Sequence, residues 1–172
     1  MTFTEAVREG IEIVKLDRAA IRRVALEPRA LSPALMITAL VGIAIWLCPP
    51  HFSVHGIITG PLCALAYLII GGAIIHIVAL FFGGRGEIAV FLRVWGVSRV
   101  LGWLRIIPVI GVIADLWSLV IAVVILEELY GLDRTKAILT VVLPIGLLFL
   151  VMLIFVANLA ILGGLLSLGH LF

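Results

Sequence analysis

Several stretches of this chain run apolar for the length of a bilayer crossing, and that restricts its possible folds more than any motif does. A hydrocarbon core about 30 Å thick takes about 20 apolar residues as a helix. Only helices and closed barrels satisfy their own backbone there. The runs at about 31–48, 57–82, 110–129 and 137–165 meet that length, and a weaker one lies at 88–107. With 64% hydrophobic residues, 13% charged residues and a mean hydropathy of +1.34, the chain carries more apolar surface than a soluble domain can cover. The expected fold is all-α: five transmembrane helices at 30–172 preceded by an amphipathic N-terminal helix at 1–29.

The punctuation fits that division. Thr2 and Glu5 form a capping-box pattern, and Phe3, Ala6, Val7, Ile11, Val14, Ile21 and Val24 fall mostly on one side, with a break possible at Asp17-Arg18. This segment is too long and too acidic for a signal-peptide n-region, so the first apolar run stays as a span. Pro33 opens the first span and Pro49-Pro50 closes it. Gly83, Gly84 and Gly86 make a turn around Arg85. The last 36 residues hold no polar turn, and read as one helix bent near Pro144.

Charge sets the orientation. With the N-terminus in the cytoplasm, Arg8, Lys15, Arg18, Arg22, Arg23 and Arg29 lie inside, joined by Arg85 and by Arg134 and Lys136 in later loops. Deleting the third span would move the last two outside, so the rule favours five crossings, with the C-terminus outside.

That third span carries Arg93, Arg99 and Arg105, and a charge at membrane depth costs about 2.5–3.5 kcal/mol on insertion scales. In a hairpin turning near Ile110, Arg105 stands level with Asp115 and Arg93 with Glu127, predicting two ion pairs. The arginines step by about 120° along an α-helix, so they do not share a face, which argues against a voltage-sensor helix. Arg99 has no assigned partner. It either lines a functional cavity or bonds to a helix carbonyl, Ser98 or Asn158.

Other chemistry is thin. Cys48, His51 and His55 have the spacing C-x2-H-x3-H, a weak metal pattern that lacks a supporting carboxylate. Cys48 and Cys63 make no disulfide framework. Gly56 and Gly60 form a GxxxG surface, open to packing within the chain or between copies. There is no catalytic triad or carboxylate pair, and Gly83-Gly84-Arg85-Gly86 lacks the lysine of a P-loop. The reading is of a non-enzyme with no cofactor and no resident metal. A net charge of +2 spread along the chain gives no face for nucleic acid.

Gly83-Gly84-Arg85-Gly86, Arg93-Val94-Trp95-Gly96-Val97-Ser98, Ile107-Pro108-Val109-Ile110-Gly111, Trp117, Gly131, Lys136-Ala137 and Pro144 together resemble the Yip family, named for interaction with Ypt/Rab GTPases. The pattern covers about 62 residues strongly. The resemblance implies a five-span bundle with a cytoplasmic N-terminus, and its eukaryotic members are associated with vesicle trafficking and Rab binding. This chain has a short N-terminal helix in place of their longer region, and Val97 where a tyrosine is expected. Glu128-Leu129-Tyr130-Gly131 is similar to the trafficking members' acidic-Leu-Tyr-Gly-Pro motif but ends in Leu132, between spans. Binding of a Rab-type GTPase is therefore not carried over. The compact form is similar to prokaryotic members, implying the plasma (inner) membrane.

The expected function is organisation of, or assistance to, other membrane components, through a membrane-protein partner or self-association, in contact with lipid. The alternative is a small permease, channel or transporter subunit with a polar path near Arg99 and Asp115.

Overall fold

The computed structural model describes residues 1–47 and 53–169, and the described residues are helical with no strand. The elements are α1 (Phe3–Val14), α2 (Arg18–Leu26), α3 (Leu31–Trp46), α4 (Val54–Phe81), α5 (Ile88–Ser98), α6 (Pro108–Tyr130) and α7 (Arg134–Gly169). Short 3₁₀ segments lie at Pro28–Ala30 and Arg99–Ile106.

Among the described residues, four helices are long and apolar enough to cross a membrane: Pro28–Trp46, Val54–Phe81, Val109–Tyr130 and Arg134–Leu159. They are apolar on every side, as a helix facing both lipid and protein must be. The expected third span is not one continuous α-helix: the 11 residues of α5 give way at Arg99 to eight residues of 3₁₀ helix. Each turn there is tighter, with 3.0 residues and a rise of about 2.0 Å per residue.

Residues 1–29 form two helices and the start of a 3₁₀ turn. The Thr2–Glu5 capping box starts α1, and Asp17 caps α2 by accepting from the Ala19 N–H at 2.8 Å. The corner between them puts Leu16 at φ 66, a conformation that costs a non-glycine residue about 1–2 kcal/mol. Packing of Leu16 against the core offsets it. Ala6, Ile13, Ala20, Ile21 and Val24 are fully buried, in one cluster with Phe91, Val94 and Val97 of α5 and Ile125 and Leu126 of α6. The helix pair is thus part of the bundle core.

Small residues set the spacing of the first two spans. A side chain at Gly42 of α3 would collide with the Gly60 carbonyl, and one at Gly60 with the Gly42 carbonyl. The GxxxG surface of α4 is therefore used within the chain, bringing two backbones into contact. At the opposite end of the bundle, α6 stops at Gly131, whose φ of 65 is the left-handed conformation that suits glycine.

Helix α7 is attached differently. Ala137 and Val141 are buried, but beyond them Leu148, Phe149 and Phe155 are more than 60% exposed. Residues 145–159 are exposed throughout, a surface that the described bundle does not bury.

Candidate functional site

Two arginine-centred regions stand out. The first joins the N-terminal pair to the end of α6. Arg18 ion-pairs with Glu127 and, at 3.3 Å, with Glu128, and Arg22 ion-pairs with the other oxygen of Glu128. One helical turn separates the two arginines, so both guanidinium groups reach one pair of adjacent carboxylates. Hydrogen bonding to Glu127, then to Glu128, raises the Arg18 pKa, and Glu128 does the same for Arg22, so both stay charged. Further along α6, the Trp117 indole N–H donates to the Val14 carbonyl of α1 at 2.8 Å, a second polar tie between the N-terminal pair and α6.

Beside this clamp the Gly84-Arg85-Gly86 turn closes over the ring of Tyr130. Any side chain at Gly86 would meet that ring at 2.8 Å, and the Arg85 N–H donates to the Tyr130 carbonyl at 3.2 Å. The Tyr130 hydroxyl shares a hydrogen bond of 2.6 Å with His76 Nδ1, and the ring stands edge-on to Phe91. The loops following α4 and α6 are therefore one surface, contiguous with the N-terminal pair.

The second region surrounds the 3₁₀ segment. Arg105 Nε donates to Asp115 at 2.7 Å across the start of the α6 hairpin. The other expected pair, Arg93 with Glu127, does not form. Arg93 donates to its own helix at the Ala89 carbonyl, 3.3 Å away, and Glu127 is held by Arg18. The 3₁₀ helix explains why. From Arg99 to Arg105 each residue turns about 120° in place of 100°, which rotates everything before it by about a third of a turn and adds about 3 Å of height. The same change corrects the expectation that Arg99 and Arg105 occupy different faces: six residues make two full 3₁₀ turns, and both line one cavity of about 20 Å³ with Asp115 and Ser118.

Arg99 also borders a larger cleft of about 380 Å³ between α4, α5, α6 and α7. Its guanidinium carbon lies 5.2 Å from the centre of the Tyr67 ring, within cation–π range. Its Nε is buried with no hydrogen-bond partner. Neither side chain expected to help it does so: the Ser98 hydroxyl donates to the Trp95 carbonyl, and the Asn158 amide to the Ile154 carbonyl.

Cys48 and His51 lie outside the described residues, so the C-x2-H-x3-H pattern has no geometry here. Among the described residues there is no group of three or more metal-ligating side chains.

The sequence reading names Arg18 and Arg22 for orientation and Glu128 and Tyr130 within a motif, but it pairs neither the arginines with Glu127 and Glu128 nor Tyr130 with His76. Their available signal was a pair of arginines spaced i,i+4 on an amphipathic helix, and two adjacent glutamates ending an otherwise apolar span.

A family model described as Yip1 domain matches residues 13–156, from the end of α1 into the outer half of α7. No curated protein and no solved structure matches the chain significantly.

Proposed function

Because the chain belongs to the Yip1-domain family and is a multi-pass membrane protein, we propose that it is a non-enzymatic organiser of other membrane components. In this reading a partner docks on the surface built by the N-terminal pair, the Arg85 turn and the end of α6. The observation that carries it is the Arg18/Arg22–Glu127/Glu128 clamp. A segment left free for lipid alone needs no such attachment, whereas a recognition surface gains from being held rigid.

The arrangement in the membrane that goes with this reading has five crossings, with the N-terminus in the cytoplasm. Helix α5 and the following 3₁₀ segment together rise about 32 Å, enough for a crossing although neither suffices alone. Cysteines placed at Arg85 and at Ile107, on either side of that segment, then label from opposite sides of the membrane; labelling from one side removes the fifth crossing.

The partner is sought by placing photo-crosslinkers at Arg8 and at Arg85 in native membranes. Both positions capture the same membrane protein, and one at Leu153 on the outer half of α7 does not. Capture of lipid alone at all three positions would end the proposal.

A second reading, a small permease or transporter subunit, draws on the polar groups around Arg99 and Asp115. It requires solute flux in proteoliposomes that falls in both Arg99→Ala and Asp115→Ala.

A further inference from the structure

Arg99 is a cation inside an apolar bundle with a buried Nε that has no hydrogen-bond partner and, among the described residues, no anion of its own. Asp115 is paired with Arg105, and α7, which forms one wall of the adjoining cleft, contains no acidic residue from Arg134 to Gly169. A buried donor left without an acceptor costs about 1–3 kcal/mol, more when charged. We propose that the cleft is a binding site for an anionic amphiphile from the membrane, with its carboxylate or phosphate on Arg99 and its hydrocarbon tail between α4 and α7.

Four observations select this occupant. The cleft, about 380 Å³, has the size of a small-molecule site, and it is walled by apolar side chains such as Ile74, Leu119, Leu147 and Val151. Its polar side chains are gathered at one place: Arg99, Tyr67 and Ser118. The cavity on the other side of Arg99, about 20 Å³, holds nothing larger than a water, so the ligand enters from the cleft. Finally, Tyr67, over which Arg99 lies, stands at the midpoint of α4, about 20 Å from either end. A free aqueous anion has nothing to offset its loss of hydration at that depth, whereas an amphiphile brings a hydrocarbon tail that the apolar walls and the exposed face of α7 accept from the side. A helix from a second copy fits the walls, but the α7 helix that it would present brings no carboxylate.

The geometry also makes Arg99 suited to an oxyanion. A guanidinium fork binds a carboxylate or phosphate through two parallel hydrogen bonds, strongest where water is excluded. The 3₁₀ segment fixes its base, since the Arg99 backbone N–H is already bonded to the Gly96 and Val97 carbonyls. Only the side chain is available to a ligand.

The test is native mass spectrometry of the full chain released from detergent, titrated in parallel with oleate, phosphatidylglycerol, phosphatidylcholine and inorganic phosphate. Oleate, phosphatidylglycerol or both are retained, and phosphatidylcholine and inorganic phosphate are not; which of the two binds identifies the head group. Arg99→Gln lowers retention about tenfold, and Arg99→Lys restores part of it. Leu148→Trp, at an exposed position on the cleft wall, lowers retention without touching the core, so the result does not depend on Arg99 variants folding. Retention unchanged in Arg99→Gln, equal retention of phosphatidylcholine, or binding of inorganic phosphate alone overturns the proposal.

Discussion

The two arginine clusters use the same residue types and reach opposite outcomes. At the end of α6 two arginines meet two glutamates, each cation has an anion, and the side chains of Arg18 and Arg22 are 49% and 66% exposed. Around the 3₁₀ segment two arginines meet one aspartate, and Arg99 is left over, enclosed. The first arrangement joins two parts of the chain and is exhausted by doing so. The second leaves a charge unspent where charge is costly. Stoichiometry and water access, more than the presence of arginine, separate an internal fastener from a place with capacity for a ligand.

Reversing the first cluster is expected to have the largest effect. Glu127→Arg with Glu128→Arg sets four cations together and releases the N-terminal pair, read as rapid proteolysis between α2 and α3 in detergent. Adding Arg18→Glu and Arg22→Glu restores protection. Failure of the restored protein to recover would mean that apolar packing alone seats the pair. Salt sharpens the contrast, because at 1 M the screening length is about 3 Å and the ion pairs of the first cluster weaken, while the surroundings of the enclosed Arg99 are screened much less.

Asp115→Ala leaves Arg105 and Arg99 with no anion between them. Thermal unfolding is expected to show a loss of about 1.5–3 kcal/mol, the range for a hydrogen bond to a charged group. An unchanged melting temperature would place Arg105 in water. Tyr130→Phe is smaller, about 0.5–1.5 kcal/mol, because it removes one bond to His76 and keeps the ring between Gly86 and Phe91.

The smallest effect is at the start of α1. Hydrogen bonds from the Thr2 backbone, then from its hydroxyl, hold the Glu5 pKa below its usual 4.5. A depressed carboxylate stabilises the folded form fully above that unfolded value and loses the contribution as pH falls through the folded value. Protection of the amides in the first turn of α1, corrected for the intrinsic pH dependence of exchange, should therefore fall on acidification to below about pH 4 in wild type. Glu5→Gln, which removes the titrating group, makes that step disappear, and Thr2→Ala, which keeps the backbone donor, only shrinks it.

The sequence made the membrane helices legible because apolar length is a one-dimensional property: the starts of α3 and α6 and the end of α4 could be read from runs, prolines and glycines. The family was legible from the loop motifs between Gly83 and Pro144. What escaped was three-dimensional. Pairing residues by height assumed a uniform rise, and the change to 3₁₀ helix at Arg99, which no residue type announces, turned Arg93 away from Glu127. The clamp escaped because Arg18 and Glu127 are 109 residues apart, and nothing local to either names the other. Arg99 was identifiable as unpartnered from its neighbours, but the cleft beside it depends on the way α7 leaves the bundle.

That separation of 109 residues also has a meaning in time. A ribosome adding about 5–20 residues per second needs about 5–20 seconds to travel from Arg18 to Glu127. The faces that α1 and α2 eventually bury against α5 and α6 are finished long before those helices exist. During synthesis the pair therefore needs a temporary host, and an amphipathic helix rich in arginine finds one on an anionic leaflet. A chain cut before Glu127 is then expected to leave its amphipathic N-terminus on anionic vesicles, and the last turn of α6 to draw it onto protein.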